Sequence, residues 1–193
     1  MLASQKTHWY PYYADRLQMT YKTLTERRNN IMKTLLILRH AKTEKEAPKG
    51  DRERALTERG EKDAAFIAAR VAELPGCPQS IVASGAKRAR QTADIVASNI
   101  GFTTSITIED DIYAADVDTL LEVIRRFPNT LNCVLLVGHN PGLEALGVTL
   151  TGMADPDFHL PTAGLLHIEL DIEEWHGVQP GVGHIVGFYT PKS

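Results

Sequence analysis

The sequence predicts an α/β domain with a mostly parallel central sheet flanked by helices. Three observations predict it. Short apolar runs alternate with stretches of helical periodicity, the runs lack polar alternation, and three of them end in polar clusters. A strand covered by helices on both faces has no wet side, so it reads as continuous Leu, Ile and Val. Strand–helix alternation then favours parallel strands joined by helical crossovers.

Leu35 to Leu38 is the first continuous apolar run and reads as a buried strand. Thr57 is a natural N-cap for a helix whose inward face is Ala64, Ile67, Ala68 and Val71, with Pro75-Gly76 as its stop. Ile81-Val82-Ala83 is a second short strand. The next helix gathers Ala89, Thr92, Ala93, Val96 and Ile100 on one face and ends at Gly101. Ser105 to Ile108 alternates, as an edge strand does. Asp116 caps a helix with Val117, Leu120, Leu121 and Ile124 inward, and Pro128 closes it. Val134 to Val137 is another buried strand, followed by a helix from about Pro141 to Leu150 with the proline near its first turn. Leu165 to Ile172 and Val182 to Tyr189 read as a closing antiparallel pair.

At 193 residues the chain suits one domain with an extension. Residues 1–31 hold the aromatic stretch His8-Trp9-Tyr10-Pro11-Tyr12-Tyr13 and a basic end, with no apolar core of a secretory signal. They read as a disordered extension or a misassigned start, with an aromatic docking segment as the alternative. The domain itself is expected over 32–193. A net charge of −3 argues against a general nucleic-acid binder. No apolar run reaches the roughly 20 residues of a membrane span. The two cysteines, Cys77 and Cys133, form no Cys-x-x-Cys pair, so neither a disulfide scaffold nor a cysteine zinc site is expected. A cytoplasmic chain, with no nucleic-acid or membrane partner, is the simplest expectation.

The polar clusters carry the chemistry. Arg39-His40 follows the first strand, Ser84-Gly85-Ala86-Lys87-Arg88 the second, and Gly138-His139-Asn140-Pro141-Gly142 the Val134–Val137 strand. In open α/β sheets ligands bind outside the carboxyl ends of the strands, so these residues are expected on one patch. Two guanidiniums can clamp phosphate oxygens with forked hydrogen bonds. Helix starts after Ser84 and His139 add backbone N–H groups. An imidazole can attack phosphorus and form a covalent intermediate. Taken singly, Arg39 or Arg88 is a salt-bridged arginine and His40 a satisfied structural histidine; the conjunction at three strand ends favours a site. A metal held by His40 and His139 lacks a third ligand at suitable spacing. His159, His167, His176 and His184 read as surface or hairpin residues. The charged loop Thr43 to Arg54 is a solvated loop or a flexible substrate rim.

Leu38-Arg39-His40-Ala41-Lys42 resembles the Arg-His-Gly signature of the histidine phosphatase superfamily, the phosphoglycerate mutase-like fold. Ser84-Gly-Ala-Lys-Arg88-Ala-Arg-Gln91-Thr92 resembles its Ser-Pro-x-x-Arg-Ala-x-Gln-Thr segment. Val137-Gly-His139-Asn140-Pro141 resembles its second-histidine motif, and Thr57-Glu-Arg-Gly60 its Leu-Thr-x-x-Gly helix start. Arg-His-Ala-Lys, Asp51-x-x-Arg54, Leu56-Thr57 and His-Asn-Pro-Gly look most like the short SixA-like phosphohistidine phosphatases. The resemblance spans about residues 32 to 190 and implies a three-layer fold.

It also implies roles. His40 would be the nucleophile, Arg39 and Arg88 would bind phosphoryl oxygens, and His139 and Asn140 would join them. No metal or cofactor is implied. Ala41 stands where the family has glycine, and Gly85 where it has proline, which should loosen that turn. Mutase-like members place an acid soon after the third strand; the nearest here is Asp111, which reads equally as part of an ordinary acidic turn. Fifty residues separate Arg88 from His139, where mutase-like relatives carry longer insertions over a small substrate. An open site suits a phosphohistidine side chain on a protein, whose imidazole leaves well when protonated. A small phosphate ester gains more from an acid and is the alternative substrate. A phosphate- or phosphoprotein-binding module with little turnover is the alternative outside enzymes.

Overall fold

The computed structural model describes residues 32–74, 76 and 78–191. The extension expected over 1–31, the helix stop at Pro75, and Cys77 lie outside the described residues. The observed elements, in chain order, are β1 (Lys33–Arg39), α1 (Glu58–Glu73), β2 (Ser80–Ala83), α2 (Lys87–Asn99), β3 (Thr107–Ile108), α3 (Val117–Arg125), β4 (Cys133–Gly138), α4 (Gly142–Thr151), β5 (Leu165–Leu170) and β6 (Gly183–Tyr189). Short 3₁₀ turns at Asp51–Glu53, Asp110–Ile112 and Trp175–Gly177 complete it.

The six strands form one mixed sheet in the order β3-β2-β4-β1-β5-β6. β1, β2, β3 and β4 run parallel, while β5 and β6 join antiparallel beside β1. The predicted α/β class is therefore what the chain adopts, with the expected hairpin closing one edge. Ser105–Ile108 contributes only Thr107 and Ile108 to the sheet, because an edge strand gains hydrogen bonds from one neighbour alone.

Side-chain alternation divides the core into two layers. Along β1, Leu35 and Ile37 pack with Leu120, Ile124, Leu143 and Leu146 of α3 and α4. Leu36 and Leu38 pack on the other face with Ala64, Ile67, Ala89 and Ala93 of α1 and α2. Successive strand residues point to opposite faces, so one continuous apolar run feeds both layers. Helix, sheet and helix thus stack as three layers.

Two caps come from the residues expected to supply them. The Thr57 hydroxyl accepts from Gly60 N at 3.1 Å, and the Asp116 carboxylate from Thr119 N at 2.9 Å. Gly60 is required for a second reason: a Cβ there would strike the Lys42 carbonyl, which lies against the first turn of α1. That contact fixes α1 beside the segment following His40. Among the described residues, no helix is long and apolar enough to cross a membrane.

Candidate active site

The three strand ends meet. β1 delivers Arg39 and His40, the turn after β2 leads into α2 and Arg88, and β4 delivers His139. The His40 and His139 ring centroids are 5.1 Å apart, and Arg88 Nε donates to His40 Nε2 at 3.2 Å. Both imidazoles and the Arg88 guanidinium are buried.

Neighbours fix the His40 tautomer. Its Nδ1 lies 2.8 Å from the Ala41 carbonyl oxygen, which can only accept, so Nδ1 carries the proton. The Arg88 guanidinium can only donate, so Nε2 presents its lone pair. Burial pushes the His40 pKa down to about 4; the Ala41 carbonyl opposes this, and the charges of Arg88, Arg39 and Arg54 reinforce it. His40 is accordingly a neutral imidazole at neutral pH, with a lone pair in a cationic cleft.

His139 is held by β2. Its Nε2 lies 2.8 Å from Ser84 Oγ. The Ser84 oxygen accepts from Ala86 N at 3.4 Å, and when its own proton points to Nε2 the imidazole proton sits on Nδ1. That Nδ1, like Arg39 Nε, is buried with no protein partner. Arg39 Nε, and His139 Nδ1 in that tautomer, are donors that an anion in this cationic cleft would satisfy. Burial above all, then the charges of His40 and Arg88, push the His139 pKa down to about 3.

The segment Arg88-Ala-Arg-Gln91-Thr92 acts as a unit because three- and four-residue spacings share a helix face. Arg88 points to His40. Gln91 Oε1 accepts from Leu56 N at 2.9 Å. Thr92 Oγ accepts from Ala41 N at 3.1 Å and donates to the Arg88 carbonyl at 2.7 Å. One helix face therefore positions both the guanidinium and the backbone beside His40.

Arg39 Nη1 donates to the Leu160 carbonyl at 2.9 Å. Glu144, at the start of α4, holds that carbonyl in place by accepting from Leu160 N at 2.9 Å. Asn140, expected among the phosphate ligands, is placed otherwise. Its Nδ2 donates to Glu144 and to the Leu160 carbonyl, both at 2.9 Å, leaving only an acceptor oxygen. Asp111, expected as a candidate acid, is turned to Arg126, whose Nη2 lies 3.0 Å from its carboxylate on an exposed surface. His159, His176 and His184 each pair with a carboxylate, of Glu144, Glu174 and Asp171 respectively. Among the described residues, no group of three His, Cys, Asp or Glu is placed to hold a metal.

Four further residues join the site. Ser84 anchors His139 Nε2. Tyr113 stands edge-on to His139, with centroids 5.5 Å apart. Asp51 takes Arg88 Nη2 and the Tyr113 hydroxyl on Oδ2 at 2.8 and 2.9 Å, and Arg54 Nη1 on Oδ1 at 2.8 Å. The loop Thr43 to Arg54, expected as a solvated loop or a flexible substrate rim, is thus tied inward. It is also braced by the Thr43–Leu56 bridge and by Arg54 Nη2 on Thr43 Oγ1 at 2.6 Å. The Asp51-x-x-Arg54 spacing was the available signal for two of these residues; nothing in the acidic turn distinguished Tyr113. Gly85 also has a local cause: a Cβ there would meet the Asp110 carboxylate, which pairs with Arg52 at 3.3 Å.

A fold with this site defines a class: α/β proteins that gather two arginines and two histidines at strand ends in one cationic cleft. Residues 35–113 match the histidine phosphatase superfamily, branch 1. The structure superposes on a candidate SixA phosphohistidine phosphatase from Agrobacterium tumefaciens at TM-score 0.70 with 30% identity, covering 82% of this chain and 98% of that one. A SixA protein histidine phosphatase complexed with tungstate gives TM-score 0.69 at 20% identity, over 82% and 97% of the two chains. The uncharacterized protein Rv1276c of Mycobacterium tuberculosis (strain H37Rv) is 29% identical over 164 residues, 80% of this chain and all of that one. The chain belongs to the histidine phosphatase superfamily. Membership and fold together support a phosphatase.

Proposed function

We propose that the protein hydrolyses a phosphoryl group through a covalent intermediate on His40, and that its substrate is phosphohistidine in a protein. The observation that carries the reading is the tautomer-fixed His40 Nε2 lone pair beside Arg88, with the unpartnered Arg39 Nε and His139 Nδ1 in the same cleft. A bond forms from Nε2 to phosphorus as the bond to the leaving nitrogen breaks. The substrate imidazole, protonated beforehand, departs neutral. Water then displaces His40 from phosphorus, giving inorganic phosphate and the free imidazole. Arg39, Arg88 and His139 stabilise the oxygens of the transferring group.

Two features support phosphohistidine over an ester. Asp111 is spent on Arg126, and the Asp51 carboxyl is held well below the usual carboxylate range by Arg54, Tyr113 and Arg88, so neither is a ready proton donor. A P–N bond to a protonated imidazole needs none, whereas an alkyl ester does. In addition, residues 89–138 are taken up by α2, β3, α3, β4 and their connections, with no inserted element to cover a small substrate. The likeness to SixA proteins points the same way.

The test is a phosphatase assay across phosphohistidine, phosphoserine, phosphotyrosine and sugar phosphates. Phosphohistidine should be turned over fastest. Preference for a sugar phosphate would replace this substrate with a small ester. Phosphate binding without turnover of any substrate would leave a binding module.

A further inference from the structure

Arg88 spends all its donor nitrogens within the chain. Nε goes to His40 Nε2 at 3.2 Å, Nη1 to the Asp51 carbonyl at 2.7 Å, and Nη2 to the Asp51 carboxylate at 2.8 Å. The carboxylate also accepts from Tyr113 and Arg54. Two oxygens held by two guanidiniums and a hydroxyl, beside the nucleophile, is the coordination a phosphoryl group would seek. The same arrangement caps the His40 lone pair with Arg88 Nε–H. A nitrogen accepting a hydrogen bond on its lone pair cannot attack phosphorus until that bond is released.

The two partners differ in how firmly they are held. The Arg88 side chain is 7% exposed, the Asp51 side chain 48%. Asp51 also borders a hollow of about 280 Å³ lined by Lys45, Glu46, Ala47, Gly50 and Arg54, so one side of it meets open space. In a contest for Arg88, Asp51 is the partner with room to leave.

We propose that Asp51 is a resident counter-anion which an incoming phosphoryl group displaces from Arg88, Arg54 and Tyr113, and that this exchange both sets phosphate affinity and uncaps His40. The inference rests on the phosphatase reading above and adds an affinity-setting residue to it. Asp51 offsets the repulsion between Arg88 and Arg54 and keeps the cleft neutralised. Phosphate gains their hydrogen bonds only by breaking those to Asp51, so observed binding is weaker than the donors alone would give.

Calorimetric titration with inorganic phosphate tests this on the full chain. Asp51→Asn removes the competing charge with little change of shape and should bind phosphate on the order of tenfold tighter than wild type. Its KM should fall, and phosphate should inhibit it more strongly. Asp51→Glu keeps the charge and should stay closer to wild type. A residue that merely orients Arg88 would give the opposite, weaker binding and a lower kcat in Asp51→Asn. In the wild-type protein, saturating phosphate should shift the Asp51 carboxyl-carbon resonance, a measurement that needs no variant to fold. If wild type binds phosphate but Asp51→Asn binds it equally or more weakly, or if the resonance stays put, the displacement proposal falls alone. If neither protein binds phosphate, the phosphatase reading falls with it.

Discussion

As the proposed nucleophile, His40 must be neutral, and burial among three arginines keeps it so. With a pKa of about 4 rather than 6.5, its lone pair survives to well below neutral pH. An NMR titration of the imidazole resonances should place the His40 midpoint near 4; a midpoint above 6 would remove the nucleophile's special state. The linkage to stability has a definite sign. The folded state binds fewer protons than the unfolded one, so the contribution is intact above about 6.5 and is lost as pH falls through 6.5 towards 4 for His40 and 3 for His139. His40→Ala should abolish both turnover and an acid-labile, alkali-stable phosphoryl adduct. Full activity in that variant would place the reaction elsewhere. Arg88→Lys should lower kcat on the order of 100-fold, because a point charge cannot replace a fork. Asp111→Asn should leave phosphohistidine turnover within about twofold, since exposed pairs such as Asp111–Arg126 contribute little. A large loss would restore Asp111 as the acid. Arg39, His40, Arg88 and His139 were legible because each abuts a strand end or helix start. Asp51 was legible only through the Asp51-x-x-Arg54 spacing and Tyr113 not at all, because what each does lies in contacts between residues 37 and 62 positions apart.

At the scale of elements, α2 explains why the second motif is longer than Arg88 alone. Thr92 and Gln91 tie the Ala41 and Leu56 backbones to the helix that carries Arg88. Thr92→Val keeps the shape and removes the hydroxyl, leaving the buried Ala41 N–H without its acceptor. The expected cost is about 1–3 kcal/mol of stability in denaturant unfolding, together with a fall in kcat from a displaced His40. Unchanged values of both would show that the helix does not position the nucleophile. The helices themselves were readable from periodicity and caps. β3 was overestimated at Ser105 and Ser105–Ile106 left out of the sheet, because alternation cannot report how much of an edge finds a neighbour.

The whole molecule depends on a buried cation outside the site. Lys33, at the start of β1, is 1% exposed. Its ammonium donates to the Asn129 and Leu131 carbonyls and to Asn132 Oδ1 at 2.7 to 2.9 Å, tying β1 to the turn before β4. Lys33→Met fills the same volume but strands those acceptors, and should lower the melting temperature by several degrees at about 2–4 °C per kcal/mol. An unchanged melting temperature would show that these acceptors are satisfied without it. A chain beginning at Met32 should melt with the full chain, since the apolar run that opens the core pattern starts at Leu35; a clear drop would overturn this. The sequence by itself determined the α/β class, the two core faces of β1 and the placing of Arg39, His40, Arg88 and His139 at strand ends and a helix start. These follow from local periodicity and from the rule that parallel strands present their carboxyl ends together. Only the tertiary structure decided that Asn140 faces Glu144, that Asp111 turns to Arg126, and that Asp51 lies on Arg88. Those outcomes depend on which distant donor reaches a carboxylate or amide first, and no local spacing encodes that distance.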